Sequence, residues 1–149
     1  MANKVQWDAA ATSGTDLLTT ELNTLSDNAR TAVGTEYDNE TNLNQYGWFV
    51  LEVTFGSAPG DDVPHCKLYL VRKFDGTAYE DGSATVVPSP DALVAAFRVQ
   101  ASTAAQNIVV GPVLLPPFDF KLLLENQTGQ AFPASGSTVA IHVANDEVQ

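Results

Sequence analysis

Phe118-Asp-Phe-Lys-Leu-Leu-Leu-Glu125 is the stretch that decides the fold. Phe118, Phe120, Leu122 and Leu124 alternate with Asp119, Lys121 and Glu125, and only Leu123 breaks the polar set. Successive side chains of a strand point to opposite faces, so this pattern predicts a strand with one face in a core and one facing water. After a turn-rich insert from Asn126 to Ser137, the alternation resumes at Val139, Ile141 and Val143. Two half-buried strands joined by a Gly/Pro/Asn loop predict an antiparallel pair, and such a pair needs a second layer over its apolar face.

Working outward, Tyr46 to Phe55 reads as the strongest central strand. Phe49, Leu51, Val53 and Phe55 share one face, while Trp48, Val50, Glu52 and Thr54 share the other. Cys66, Leu68 and Leu70 alternate with Lys67, Tyr69 and Val71, which places Tyr69 on the outward face. Leu93, Ala95, Phe97 and Val99 repeat the pattern, and a shorter strand is expected from Asn107 to Val110. Pro112, Pro116 and Pro117 are read as turns, because proline cannot donate to a central ladder. From Asp75 to Ala92 no periodicity appears, and a structureless connection of that length is uncommon in a compact domain. Thr31 to Asn44 is polar and turn-rich, with room for one short strand near Ala32-Val33.

The N-terminal part reads differently. Ser13 with Asp16 resembles a capping box, and Leu17, Leu18, Leu22 and Leu25 fall on one stripe at helical spacing, so an amphipathic helix is expected there, closed by Asp27-Asn28. Before it, Val5 and Trp7 stand in a small and polar arm, Met1 to Thr12. Such an arm either packs back on its own domain or adds a strand to a neighbour's sheet edge. The expectation is an all-β chain: a two-sheet antiparallel β-sandwich of jelly-roll type (1–30 arm and helix, 31–149 sandwich), with an immunoglobulin-like sandwich as the alternative.

Composition narrows the function classes. The chain has 149 residues, 44% hydrophobic and 17% charged, enough for one folded domain. Eighteen acidic residues against seven basic ones give a net charge of −11, which disfavours nucleic acid and anionic membranes as partners. One cysteine excludes an internal disulfide. The sequence opens on no secretory leader, and no apolar run approaches the roughly 20 residues of a membrane span, so a soluble protein made in a cytoplasm is expected.

Chemistry finds little purchase in the side chains. His65 and Cys66 are neighbours on a strand and so point to opposite faces, and Cys66 falls on the apolar set as a core thiol. Two histidines and one cysteine are too few for a zinc centre, and no catalytic residue, metal or cofactor is expected. Asp61 and Asp62 in one loop, with Asp75, Glu80 and Asp81 in another, would serve calcium only if they converged at one end of the sandwich. Tyr37, Tyr46, Trp48, Tyr69 and Tyr79 leave open a sugar-stacking surface, with Tyr69 and Tyr79 as its platform.

Four strings carry a resemblance: Asn28-Ala-Arg-Thr-Ala-Val-Gly-Thr35, Tyr37-Asp-Asn-Glu-Thr-Asn-Leu43, Pro116-Pro-Phe-Asp-Phe-Lys121 and Asn126-Gln-Thr-Gly-Gln-Ala-Phe-Pro-Ala-Ser-Gly136. From about Ser26 onward the chain resembles small virion proteins of tailed bacteriophages. Its size, acidity and N-terminal arm look like those of the capsid decoration, or cement, proteins. That resemblance implies a non-catalytic structural protein, often a homotrimer, that sits on the virion surface and binds the major capsid protein. Val5 and Trp7 would then anchor the arm, and the 75–92 loop would contact a neighbour. The alternative is a receptor- or glycan-binding module of a head or tail fibre, contacting its ligand through Tyr69 and Tyr79.

Overall fold

The structure, a computed structural model, describes residues 5–7 and 13–148, with the backbone alone for 5–7, 147 and 148. Among them the chain forms β1 (Val5–Trp7), β2 (Thr15–Leu18), β3 (Tyr46–Val53), β4 (His65–Arg72), β5 (Leu93–Arg98), β6 (Gln106–Leu114), β7 (Phe120–Gln127), β8 (Thr138–Ala144) and β9 (Asp146–Val148). One short helix, α1 (Asn39–Asn42), and two single 3-10 turns, Thr20–Leu22 and Pro90–Ala92, complete the elements. The four-stranded sheet has the order β2-β8-β3-β6, the three-stranded sheet β5-β4-β7, and β1 pairs with β9 alone. Every pairing is antiparallel. The fold is therefore mostly β, a sandwich of two antiparallel sheets.

The core lies between the sheets, where the alternation of each strand puts its apolar set. Phe49, Leu51 and Val53 of β3 and Val139 and Ile141 of β8 meet Cys66, Leu68 and Leu70 of β4, Phe97 of β5, and Phe120, Leu122 and Leu124 of β7. Aromatic packing closes it at both ends: Phe120 lies 5.1 Å from the Tyr37 ring, and Phe55 meets Phe132 edge-on at 5.3 Å.

Four sequence expectations are corrected. The leucine stripe after Ser13 is a strand followed by a 3-10 turn, not a helix. β2 pairs with β8 through a register shift between Asp16 and Leu18, which lets the consecutive Leu17 and Leu18 both be buried. Threonines at 15, 19 and 20 favour extended backbone, and Thr24 and Asn28 adopt positive φ, which no helix accommodates. The leucines do reach the core.

Second, β7 and β8 do not pair with each other. β7 pairs with β4 and β8 with β3, so the 128–137 connection crosses from one sheet to the other. β7 carries buried side chains on both faces from Leu122 to Asn126, and alternation alone cannot say which neighbour such a strand takes. Third, Pro112 lies inside β6 rather than in a turn. β6 is an edge strand and its ladder with β3 is irregular between Gly47 and Phe49, the setting in which a strand tolerates proline.

Fourth, no strand forms at Ala32-Val33, yet residues 28–37 run antiparallel along the free edge of β7. Bridges join Arg30 to Glu125 and Tyr37 to Phe120. Thr31 and Gly34 donate their N–H groups to the Leu124 and Leu122 carbonyls, both at 2.9 Å, and Thr31 Oγ1 accepts from Leu124 N at 3.0 Å. The segment thus covers an edge that would otherwise expose unpaired backbone. Gly34 is required here: a Cβ would lie 2.1 Å from the Leu17 carbonyl oxygen, where β2 crosses the segment.

Candidate functional site

The ends of the sandwich differ in character. At one end lie the start of β3, the ends of β4, β6 and β8, and the starts of β5 and β7, with connections 38–45, 73–92 and 115–119. Nine large apolar side chains are exposed among the described residues, and all but Val63 and Val109 belong to these connections or to the strand residues that border them.

Leu43 and Leu114 meet in the lining of one hollow at this end, and Phe118 lies in the adjoining connection 115–119; they are 62%, 73% and 43% exposed. Leu43 is held out by local geometry. Asp38 caps α1 by accepting from Thr41 N at 2.9 Å, and Leu43 at the C-cap takes a left-handed φ of 52°. Asn39, fully buried behind it, donates to the Asn44 carbonyl at 3.0 Å and the Pro116 carbonyl at 2.6 Å. One asparagine therefore ties connection 38–45 to connection 115–119. Two hollows flank the ridge of Leu114, Leu115 and Pro117. The larger, about 310 Å³, is also lined by Leu70, Arg72, Asp91, Val94 and Pro116. The smaller, about 130 Å³, adds Asn39, Leu43, Asn44 and Gln45.

The charges around this end are strongly asymmetric. Arg72 donates Nε to Glu80 Oε2 at 2.8 Å, makes a second bond to the same carboxylate, and reaches Asp91 at 2.7 Å. Those bonds, to Glu80 first, hold its pKa above the ordinary arginine value. Lys73 contacts Glu36 at 3.3 Å and Asp119 at 3.4 Å, and Lys121 sits 4.5 Å above the Tyr79 ring. Farther along the same sheet, Arg30 and Lys67 share Glu125 at 3.4 and 3.2 Å. Hence every described lysine and arginine except Arg98 is engaged by its own chain. Asp38 at the N-cap of α1, Glu40 on α1 and Asp146 beside Gln45 are exposed, all without a cationic partner among the described residues.

The same contacts explain the long 73–92 connection. Arg72 clamps Glu80 and Asp91, and the Arg30 side chain donates to the Ser83 carbonyl at 3.3 Å. The segment folds over the outer face of β4 and β7, with Tyr79 packed against a second, smaller core of Tyr69, Val71, Ala92 and Leu123. Asp75 caps its own turn by accepting from Thr77 N and Ala78 N, and the Ala78 and Thr77 bonds lower its pKa below the usual carboxylate value.

Tyr69 lies on the outward face of β4, as its alternation implies, but this connection covers it. It is 7% exposed, its hydroxyl reaches Glu125 at 3.4 Å, and burial raises its pKa. Tyr79 is half-buried, its ring is covered by Lys121, and its buried hydroxyl makes no hydrogen bond. Neither ring offers a free face for stacking a sugar. The two acidic loops do not converge either: Asp61-Asp62 precede β4 and Asp75 to Asp81 follow it, at opposite ends of an eight-residue strand. Among the described residues no three His, Cys, Asp or Glu side chains gather as metal ligands.

Val5 and Trp7 lie on β1, where Val5 pairs with Val148 and Trp7 with Asp146. The arm's backbone therefore follows the C-terminal strand of its own chain, and the two side chains lie outside the described residues. β9 begins beside the smaller hollow: Asn145 Oδ1 accepts from Gln45 N at 2.7 Å, and Asp146 N donates to Gln45 Oε1 at 3.0 Å.

Sequence reasoning missed the Leu43–Leu114–Phe118 surface for three reasons. Leu43 sits in a turn-rich segment, and Leu114 ends β6 beyond the strand expected from Asn107 to Val110. Phe118, read with the core-facing set of β7, precedes that strand and is exposed. The available signal was isolated large apolar residues among turn formers: Leu43 in an Asn-rich stretch, and Leu114-Leu115 before two prolines.

Cys66 follows its sequence reading. It is fully buried between Phe97 and Asn126, and burial pushes its thiol pKa up to about 12. In native buffer at neutral pH it is expected to resist a thiol-disulfide reagent for hours and to react at once in denaturant. Rapid stoichiometric labelling of the native protein, followed by absorbance, contradicts this.

No family model, curated protein or solved structure matches the chain.

Proposed function

We propose that the protein is a non-catalytic structural component of a tailed-phage virion, a decoration protein that binds the exterior of the capsid through the major capsid protein. The observation that carries this reading is the concentration of exposed apolar side chains at one end of an otherwise acidic sandwich. An apolar centre with a polar, charged rim is the anatomy of a protein-contact surface. The resemblance of the four sequence strings supports the virion part.

The strand order supports the jelly-roll architecture within this reading. With 28–37 counted as an eighth strand, β2-β8-β3-β6 faces β5-β4-β7-(28–37), and successive strands alternate sheets except from β4 to β5. Two four-stranded sheets so connected are the pattern of a double Greek key. The homotrimer and the strand-adding role of the arm belong to the same proposal. β1 and β9 form an isolated three-residue pair, marginal in water, so the arm can leave its own chain for a neighbouring sheet edge at little cost.

The test is cosedimentation with purified capsids of the encoding phage, alongside light scattering of the free protein. The full chain is expected to sediment with shells to a fixed stoichiometry and to form a trimer there or in solution. Deleting residues 1–12 is expected to abolish shell binding while leaving the circular dichroism spectrum unchanged. A folded full chain that never sediments with shells overturns the reading, and a deletion variant that decorates at full occupancy removes the arm from it.

A further inference from the structure

We propose that the Leu43–Leu114–Phe118 end of the sandwich docks an extended segment of a second protein in which an apolar or aromatic anchor is flanked by lysine or arginine. The inference deepens the binding role above, and rests on it only in taking this protein to act by binding. Three observations point the same way.

The first is shape. The hollows either side of the Leu114–Leu115–Pro117 ridge measure about 310 and 130 Å³. Small-molecule sites run from about 300 to 1,000 Å³, so these are at or below the lower limit. Depressions of this size suit single side chains of a protein partner, and buried aromatic or aliphatic anchors in such pockets dominate protein contacts.

Second, the walls are held in place. Asn39 bonds the carbonyls of Asn44 and Pro116, and its Oδ1 accepts from Asn44 N at 2.9 Å. Arg72 and Asp91 are bonded to each other in the wall of the larger hollow. Little ordering is left to be done at binding, which favours affinity.

Charge decides the occupant. Asp38 and Glu40, on either side of Asn39, and Asp146, bonded to Gln45, are exposed beside residues that line the smaller hollow, while Arg72, Lys73 and Lys121 are already engaged. A second copy would bring the same acidic rim, and a two-fold contact of this end with itself would oppose like charges. A membrane or nucleic-acid backbone is repelled by a net charge of −11. A basic-flanked apolar segment satisfies both the apolar centre and the acidic rim.

The probe is a synthetic heptapeptide alternating lysine with leucine and phenylalanine, with two controls: the same peptide with glutamate for lysine, and one with serine for the apolar residues. Binding is read by amide chemical shifts, and solution mass by light scattering. The lysine peptide is expected to shift the amides of 43–46 and of 114, 115 and 118 saturably, with affinity falling as salt rises, and neither control to bind comparably. Leu114→Asp, at a solvent-exposed position, is expected to weaken the lysine peptide by about tenfold or more. Val63→Asp, at the opposite end, is expected to leave affinity unchanged. Equal binding of the glutamate peptide, shifts spread over the whole surface, or equal affinities of the two variants overturns the proposal. So does a wild-type oligomer that Leu114→Asp dissociates, which would make this end a contact between copies. Shell binding without peptide binding overturns this inference and leaves the virion reading standing; peptide binding without shell binding does the reverse.

Discussion

Phe120→Ala is expected to destabilise the protein by about 3–5 kcal/mol, the loss that follows when a buried phenylalanine is truncated and its surroundings stay in place. Phe120 is fully buried and opens β7 between two partners, Arg72 on β4 and Tyr37 of the 28–37 segment. Its neighbours cannot relax into the space a truncation leaves. The Tyr37 ring, 5.1 Å away, is fixed by reciprocal backbone bonds, Tyr37 N to Phe120 O at 2.8 Å and Phe120 N to Tyr37 O at 3.2 Å. The Tyr37 hydroxyl also accepts from Asn44 Nδ2 at 2.7 Å. A cavity that cannot collapse costs the lost transfer energy and the lost contacts together. Against a total stability of about 5–15 kcal/mol, the urea midpoint should fall steeply at unchanged slope. A loss below about 1 kcal/mol would mean that Tyr37 swings inward, and the 37–45 connection with it.

That prediction bears on binding as well as stability. Phe120 is two residues from Phe118 and follows Asp119, whose carboxylate accepts from Glu40 N at 3.1 Å and contacts Lys73. Those interactions, the Glu40 bond first, hold the Asp119 pKa below the usual carboxylate value. The start of β7 is therefore the point from which α1, connection 115–119 and the first residue of the long connection are all positioned. The apolar end rests on the core, not on mobile loops.

Strand periodicity is legible in the sequence wherever one face is buried and the other wet. β3, expected from Tyr46 to Phe55, runs from Tyr46 to Val53, and the inward set Cys66, Leu68 and Leu70 of β4 is read correctly from alternation. Alternation fails where the answer depends on what lies across a face. The outward set of β4 reads as solvent-facing, yet the 73–92 connection covers Tyr69 and Val71 through the Arg72 clamp, a contact made by a charged residue without periodicity. The leucines from 17 to 25 have helical spacing, but a register shift in a strand buries two in succession just as well. Adjacency in the chain suggests a β7–β8 pair, whereas the 128–137 connection is long enough to carry the chain across to the other sheet, and does so. The apolar end is invisible in the sequence for a related reason. Its residues are brought together by the topology of six strand ends, and no window of sequence contains it.

Asn126→Ala is the second large effect expected, about 2–4 kcal/mol, and it separates stability from binding. Asn126 is fully buried near the end of β7, at the opposite pole from Leu114. Its Nδ2 donates to the Leu25 carbonyl at 3.1 Å and the Gln130 carbonyl at 2.9 Å. Its Oδ1 accepts from Thr128 N at 3.1 Å and Thr128 Oγ1 at 2.8 Å. One side chain thus fixes both the turn that leaves β7 and the segment that precedes residue 28. Truncation removes the bonds of both amide atoms, but the two carbonyls find other donors: Phe132 N at 3.0 Å on Leu25, and the Thr128 hydroxyl, whose single hydrogen is freed from Asn126 Oδ1, at 2.9 Å on Gln130. The buried Thr128 N–H is left without an acceptor, and that orphan together with the net worth of the lost bonds sets the magnitude. Asn126→Asp preserves shape and acceptor but faces two carbonyls with a carboxylate. It should be less stable than the alanine variant at neutral pH and regain stability on acidification. Protonation restores one donor, and a folded-state pKa above the unfolded value makes stability rise as pH falls. Denaturation of both variants at neutral and acidic pH checks this; pH-independent stability of the aspartate variant would mean that solvent reaches the site. Because the network is remote from the apolar end, either variant, below its unfolding temperature, should bind the lysine peptide as the wild type does. Parallel loss of stability and of peptide affinity per folded molecule would place the docking surface elsewhere.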